Sequence, residues 1–234
     1  MITFIKFFLC GILTSFLFPP FFLISIGFVI FPLLFFFLTD KQFVLQSYKS
    51  HFFSGLIYGL GFFSIYLEWI NEPFFIDEVT KKYALISYLL IIYCALYFAI
   101  IFAILKYFKS TLSKLIVFPS LVICAEFICA NSIYGFPWFS FSLVHSSNFF
   151  GTSSIFYVGT YGLSYITILI FLFPIIFFIK NKKLLKIFYT VIFVIIITCT
   201  LFASLRITER EQDNYNSMDI SIVQLNLSIN QFSD

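Results

Sequence analysis

Long apolar runs, separated by short polar or proline-bearing breaks, make up nearly the whole chain. The first two runs, about 4–18 and 21–38, meet at Pro19-Pro20, which predicts a tight helical hairpin. A polar connection over 39–51 leads to a third run at 52–70, a fourth at 83–105 and a fifth at 115–134. A sixth covers about 159–179 and a seventh 187–205. Crossing a bilayer core of about 30 Å takes roughly 20 apolar residues in a helix. The pattern therefore predicts an all-α polytopic membrane protein with about seven transmembrane helices in a domain spanning 1–205. The character then changes: 206–217 reads as a charged linker, and 218–226 is apolar and β-branched like a strand. One strand is not stable alone, so 218–234 reads as the start of a second, α/β domain, and the chain reads as truncated.

Composition agrees with the pattern. The chain is 61% hydrophobic and 11% charged, with a mean hydropathy of +1.03, which excludes an ordinary soluble domain. Phenylalanine supplies 38 of 234 residues. That excess reads as a bias toward A/T-rich codons, so the count carries no functional weight.

Charge adds an orientation. With the N-terminus cytoplasmic, the inner segments hold Lys6, Lys41, Lys49, Lys106, Lys109, Lys114, Lys180, Lys182, Lys183 and Lys186. The outer segments hold Lys81, Lys82, Arg206 and Arg210, and the lysine pair is offset by Glu72, Asp77 and Glu78. Positive residues favour the cytoplasmic side. This predicts that the loop after the fifth span and everything after Leu205 lie on the far side of the membrane.

That loop begins with Gly135-Phe136-Pro137-Trp138 and continues through Ser140, Ser142, His145, Ser146 and Ser147. Lipid cannot satisfy the amides of irregular backbone, so such a loop lies at the water interface or is buried in protein. Trp138 and Trp69 both fall where an interfacial aromatic belt is expected. Glu126, mid-way along the fifth span, is the acid deepest in an apolar run, and burying a charge in lipid costs several kcal/mol. Two readings stand for it: a carboxylate that orients the outer loop or a lipid head group, or an acid that ties helices together. Glu68, beside Trp69, reads as interfacial. His145 could act as an acid or base near neutral pH, but it has no partner close in sequence and reads first as a polar interfacial group. Gly55, Gly59 and Gly61, with Ser54, form a small-residue face suited to close helix packing.

The five cysteines, Cys10, Cys94, Cys124, Cys129 and Cys199, lie in or beside apolar runs without paired spacing. They read as small hydrophobes, neither a disulfide framework nor a metal site. Phe7 to Gly11 resembles a lipoprotein cleavage box only faintly, and a retained first span is expected. The sequence holds no phosphate loop, no Ser/His/Asp series and no zinc spacing. No catalytic residue, metal or cofactor is expected within it.

Taken together, these residues resemble the membrane half of bacterial apolipoprotein N-acyltransferases. The resemblance rests on Gly11-x-Leu13 with Phe18-Pro19-Pro20-Phe21, and on Gly55 to Phe63 followed by Trp69-Ile70. Its most specific part is Glu126 nine residues before Gly135-Phe136-Pro137-Trp138. Gly159 with Gly162-Leu163-Ser164-Tyr165 is similar to that family's next helix start, and Ile222-Val223-Gln224-x-Asn226 to the first strand of its nitrilase-like domain. The chain departs from the family at Cys129, where an Arg is usual, at Ser142-Leu143 and His145 after the Trp, and at Leu225 between Gln224 and Asn226.

The resemblance implies acyl transfer from a phospholipid to the N-terminal diacylglyceryl-cysteine of apolipoproteins, through a thioester on a Glu-Lys-Cys triad. That triad would lie past Asp234. Implied partners are the bilayer, a phospholipid acyl donor and a diacylated apolipoprotein, with a separate chain carrying the nitrilase-like domain left open, and no nucleic acid. The alternatives are a transporter or channel subunit and a non-functional gene remnant. A carrier should show repeated halves and interrupted midplane helices, and no second half here resembles the first.

Overall fold

The computed structural model describes residues 2–76, 78–132, 135–147, 149–178 and 182–212. Among them the chain is helical, with no strand. The main helices are α1 (Ile2–Ser15), α2 (Gly27–Thr39), α4 (Tyr48–Tyr66), α6 (Leu85–Leu105), α7 (Thr111–Asn131), α8 (Phe149–Phe171) and α9 (Lys182–Gln212). Short helices α3 (Lys41–Val44) and α5 (Glu78–Lys81) lie between them.

Among the described residues three helices are long and apolar enough to cross a membrane: Leu85–Leu105, Thr111–Asn131 and Ser153–Phe177. A fourth candidate is α4 with the following 3-10 segment Glu68–Phe75, bent by 48°. Phe4–Ser15, Ile24–Thr39 and Lys186–Cys199 are apolar but shorter. The chain is thus a helical membrane protein whose described residues hold three to four span candidates by length and composition, fewer than the seven apolar runs of the sequence. The difference lies at both ends of the chain. The hairpin spends residues 16–23 on its turn, so neither arm reaches about 20 residues. The strand expected at 218–226, with Gln224 and Asn226, lies outside the described residues. Helix α9 runs on to Gln212, into the stretch read as linker.

Helix α4 is the packing centre of the N-terminal half, lying against α1 on one side and α6 on the other. Glycine makes this possible. A Cβ on Gly59 would come within 2.7 Å of the Ala95 Cα, and one on Gly55 would meet the Phe98 carbonyl. Gly11 of α1 sits just as close to the α4 backbone at Tyr58 and Phe62, and Gly61 of α4 against Phe8 of α1. Small residues let backbones approach until dispersion holds them, the main attraction left where lipid is as apolar as the side chains. Aromatic rings fill what remains: Tyr58 stands 4.8 Å from Phe98, and Phe62 lies 6.1 Å from Phe98.

The end of the bundle rich in lysine is fixed by caps. The Asp40 carboxylate accepts from the amides of Gln42 and Phe43, starting α3, and Ser47 Oγ accepts from Ser50 N, starting α4. Buried Lys114 donates to the Leu38 carbonyl at 2.8 Å, near the end of α2. Lys106 donates to the carbonyls of Val44 and Gln46. A cation at a helix C-terminus satisfies free carbonyls and matches the dipole.

Candidate functional site

At the other end of the bundle the chain leaves α7 and doubles back. Phe136 N donates to the Cys129 carbonyl at 2.9 Å, and Gly135 N to the Ser132 carbonyl at 2.8 Å. Gly135 has φ +32°, a left-handed conformation that glycine adopts at little cost. Cys129 Sγ reaches the Phe136 carbonyl at 3.5 Å. Here the thiol touches the turn itself.

The loop then divides in two. Pro137 and Trp138 are exposed, whereas Phe139 to Ser142 are buried. Phe139 packs on Phe63 at 5.2 Å and Phe98 at 5.6 Å, and Phe141 on Phe18 at 5.2 Å and Phe31 at 5.6 Å. The loop therefore plugs the centre of the bundle as well as capping its end. The change from exposed to buried falls between the adjacent residues Trp138 and Phe139.

Buried irregular backbone needs hydrogen-bond partners, and Glu126 supplies the first. Its side chain, 1% exposed, accepts from Phe141 N at 2.8 Å through Oε1 and from Ser140 Oγ at 3.1 Å through Oε2. Ser140 has one hydroxyl proton and gives it to Glu126. Its oxygen therefore accepts from the hydroxyls of Ser142 at 2.8 Å and Ser164 at 3.0 Å. Ser164 Oγ in turn accepts from Ser142 N at 2.8 Å. The donors all point toward the acid, which ties α7, the loop and α8 into one unit.

Above this network stands an aromatic pair. Trp69 and Trp138 have ring centroids 5.4 Å apart at 61°, and each is about half exposed. Tyr66 Oη donates to the Trp138 carbonyl at 2.6 Å, holding the turn against the end of α4. Glu68, next to Trp69, is exposed.

His145 belongs to neither group. Its Nε2 lies 2.8 Å from Thr167 Oγ1, and the Thr167 hydroxyl donates to the Leu163 carbonyl at 2.7 Å. The hydroxyl is thus spent as a donor, so Nε2–H donates to it. Burial lowers the His145 pKa below its ordinary 6.5, which favours the neutral ring. His145 anchors the loop's far end to α8; Gly151 lies so close that a Cβ there would collide with the imidazole.

The structure thus joins Glu126 to the loop and Trp69 to Trp138, and sends His145 elsewhere. It adds Tyr66, Ser140, Ser142, Ser164 and Thr167 as partners. Tyr66 was within reach of the sequence, being one helical turn before Trp69; the serines gave only a general polar signal. Among the described residues no group of three His, Cys, Asp or Glu could hold a metal ion. Chemically, the arrangement is a rigid buried lock beneath an exposed aromatic surface.

A family model described as the apolipoprotein N-acyltransferase N-terminal domain matches residues 10–173, well over half of the chain. The match takes in Glu126, the Gly135 to Trp138 turn, Trp69 and His145. No curated protein matches the chain.

Proposed function

Since the chain belongs to the apolipoprotein N-acyltransferase family through its N-terminal domain, we propose that it is the membrane portion of such an enzyme. In this reading the enzyme moves a fatty acyl chain from a phospholipid to the α-amino group of an apolipoprotein's diacylglyceryl-cysteine. The chain lies in the bacterial inner membrane with its N-terminus cytoplasmic and its C-terminal end periplasmic. Its part is to present both lipid substrates at the outer surface to a nitrilase-like domain, carried on the same chain or another.

The observation that supports this most is the half-exposed Trp69–Trp138 pair, backed by the Tyr66 bond and the Glu126 lock. Tryptophan rings favour the level of the head groups. A fixed pair there offers a flat apolar edge to acyl chains while its indole N–H groups reach water.

The transfer itself needs a thiolate and a base to generate it. Cys10, Cys94, Cys129 and Cys199 are buried. Cys124 is exposed on the flank of an apolar span. In the proposed reading the chain alone carries out no acyl transfer.

The test uses proteoliposomes containing the purified chain, labelled phospholipid and a diacylated lipopeptide, with and without an added nitrilase-like domain of the family. The expected result is no transfer by the chain alone. Transfer should appear when both are present and fall about tenfold, equivalent to 1.4 kcal/mol, when Trp69 and Trp138 are both replaced by Ala. Transfer by the chain alone would overturn its predicted inactivity. An added domain that works equally well without the chain would overturn the platform role.

A further inference from the structure

A groove of about 550 Å³ opens between α2, the C-terminal end of α8 and α9, at the other end of α8 from the Trp138 turn. That volume lies within the usual range for small-molecule sites. Its walls are mainly apolar, with Phe28, Phe173, Phe177 and Phe193 prominent, and three polar residues interrupt them: Lys186, Tyr189 and Thr190. Phe173 and Tyr189 pack edge to face at 5.3 Å, which fixes the tyrosine ring.

Tyr189 is 6% exposed, and its hydroxyl has no hydrogen-bond partner among the described residues. Lys186 lies three residues earlier on α9 and therefore on the same face. It is exposed and makes no ion pair among the described residues. Lys180, Lys182 and Lys183 precede it in sequence and add positive charge. From Lys186 the groove continues to Ile196, about 15 Å along a helix at 1.5 Å per residue.

We propose that this groove binds an anionic phospholipid, with its phosphate on the Lys186 ammonium and one acyl chain along the phenylalanine wall. The charge is complementary, and the long apolar trough suits a hydrocarbon chain. Basic pockets between membrane helices bind lipid head groups on the same grounds. On the orientation proposed above, the lipid comes from the cytoplasmic leaflet. It is then distinct from an acyl donor held near Trp69 and Trp138.

Native mass spectrometry of the full chain in detergent micelles, with phosphatidylglycerol or phosphatidylcholine added, tests the site. Micelles have no leaflets and the assay involves no acyl transfer, so its result is independent of the orientation and of the proposed activity. The expected result is one retained phosphatidylglycerol per chain, in preference to phosphatidylcholine. Lys186→Glu should lower that retention at least tenfold, whereas Tyr189→Phe, which removes a hydroxyl closed to the groove, should leave it unchanged. Lys186 is exposed and Tyr189→Phe is isosteric, so both variants keep the fold, which an unchanged melting midpoint verifies. Equal retention of the two lipids, or phosphatidylglycerol retention insensitive to Lys186→Glu, would overturn the proposal. A doubled chain mass without lipid would also overturn it, and would assign the groove to a second copy of the chain.

Discussion

One carboxyl group decides whether the loop stays inside the bundle. Glu126→Ala would strand the Phe141 amide and the Ser140 hydroxyl, at about 1–3 kcal/mol for each unpaired buried group. We expect a lower melting midpoint in detergent and proteolysis between 135 and 147, with Glu126→Gln intermediate because its amide oxygen can still accept one of the two bonds. At the loop's far end, His145 gives a pH signature. Its pKa is lowered on folding, so the unfolded chain takes up the proton more readily. The stability it contributes is complete above its ordinary value of 6.5 and is lost as pH falls through the lower folded value. A melting midpoint that declines below about pH 6.5, with part of the decline removed in His145→Asn, would show this. At this scale the sequence was half legible. Glu126 was conspicuous because an acid in an apolar run is expensive. Ser140 and Ser164 were not, because a serine is cheap almost anywhere and only the fold brings these two together.

At the scale of elements, glycine positions set the helix contacts. Gly55 and Gly59 were readable as a packing face because small residues recur at helical spacing, whereas Gly61 turned out to serve a different neighbour, α1. Gly59→Leu would force the Ala95 backbone away, and overpacking of this kind costs about 1–3 kcal/mol. Gly162→Ala, where a Cβ meets only the Val158 side chain at 3.1 Å, should cost much less; melting midpoints of the two variants test the contrast. Gly159 matters for another reason. Its φ of +69° and ψ of 170° break α8, in a region open almost only to glycine, while the space around it is empty. Gly159→Ala should therefore cost about 1–3 kcal/mol from backbone strain alone, and replacement by larger residues should cost little more. The sequence placed a helix start at this glycine, yet helix precedes the break, since φ is invisible to an apolar count. The same count does not separate the turn of the N-terminal hairpin from its arms, since the residues that form the turn are apolar as well.

For the whole molecule, the uneven placement of lysine predicts a topology that labelling can check. In a chain with its five cysteines changed to alanine, Lys81→Cys should react with a membrane-impermeant maleimide added to the periplasm, and Lys49→Cys should not. The reverse result would invert the orientation. The bundle also has an order of manufacture. Helix α7 is synthesised before the segments that answer its acid: Ser140 follows Glu126 by 14 residues, and Ser164 follows Ser140 by a further 24. At a synthesis rate of about 5–20 residues per second, Glu126 waits some seconds in a newborn helix without those partners. During that interval it must stay beside the insertion machinery or take up a proton, because lipid accepts neither a bare carboxylate nor a long delay. Chains halted between 131 and 164 should therefore be the ones that the cell's quality control removes first.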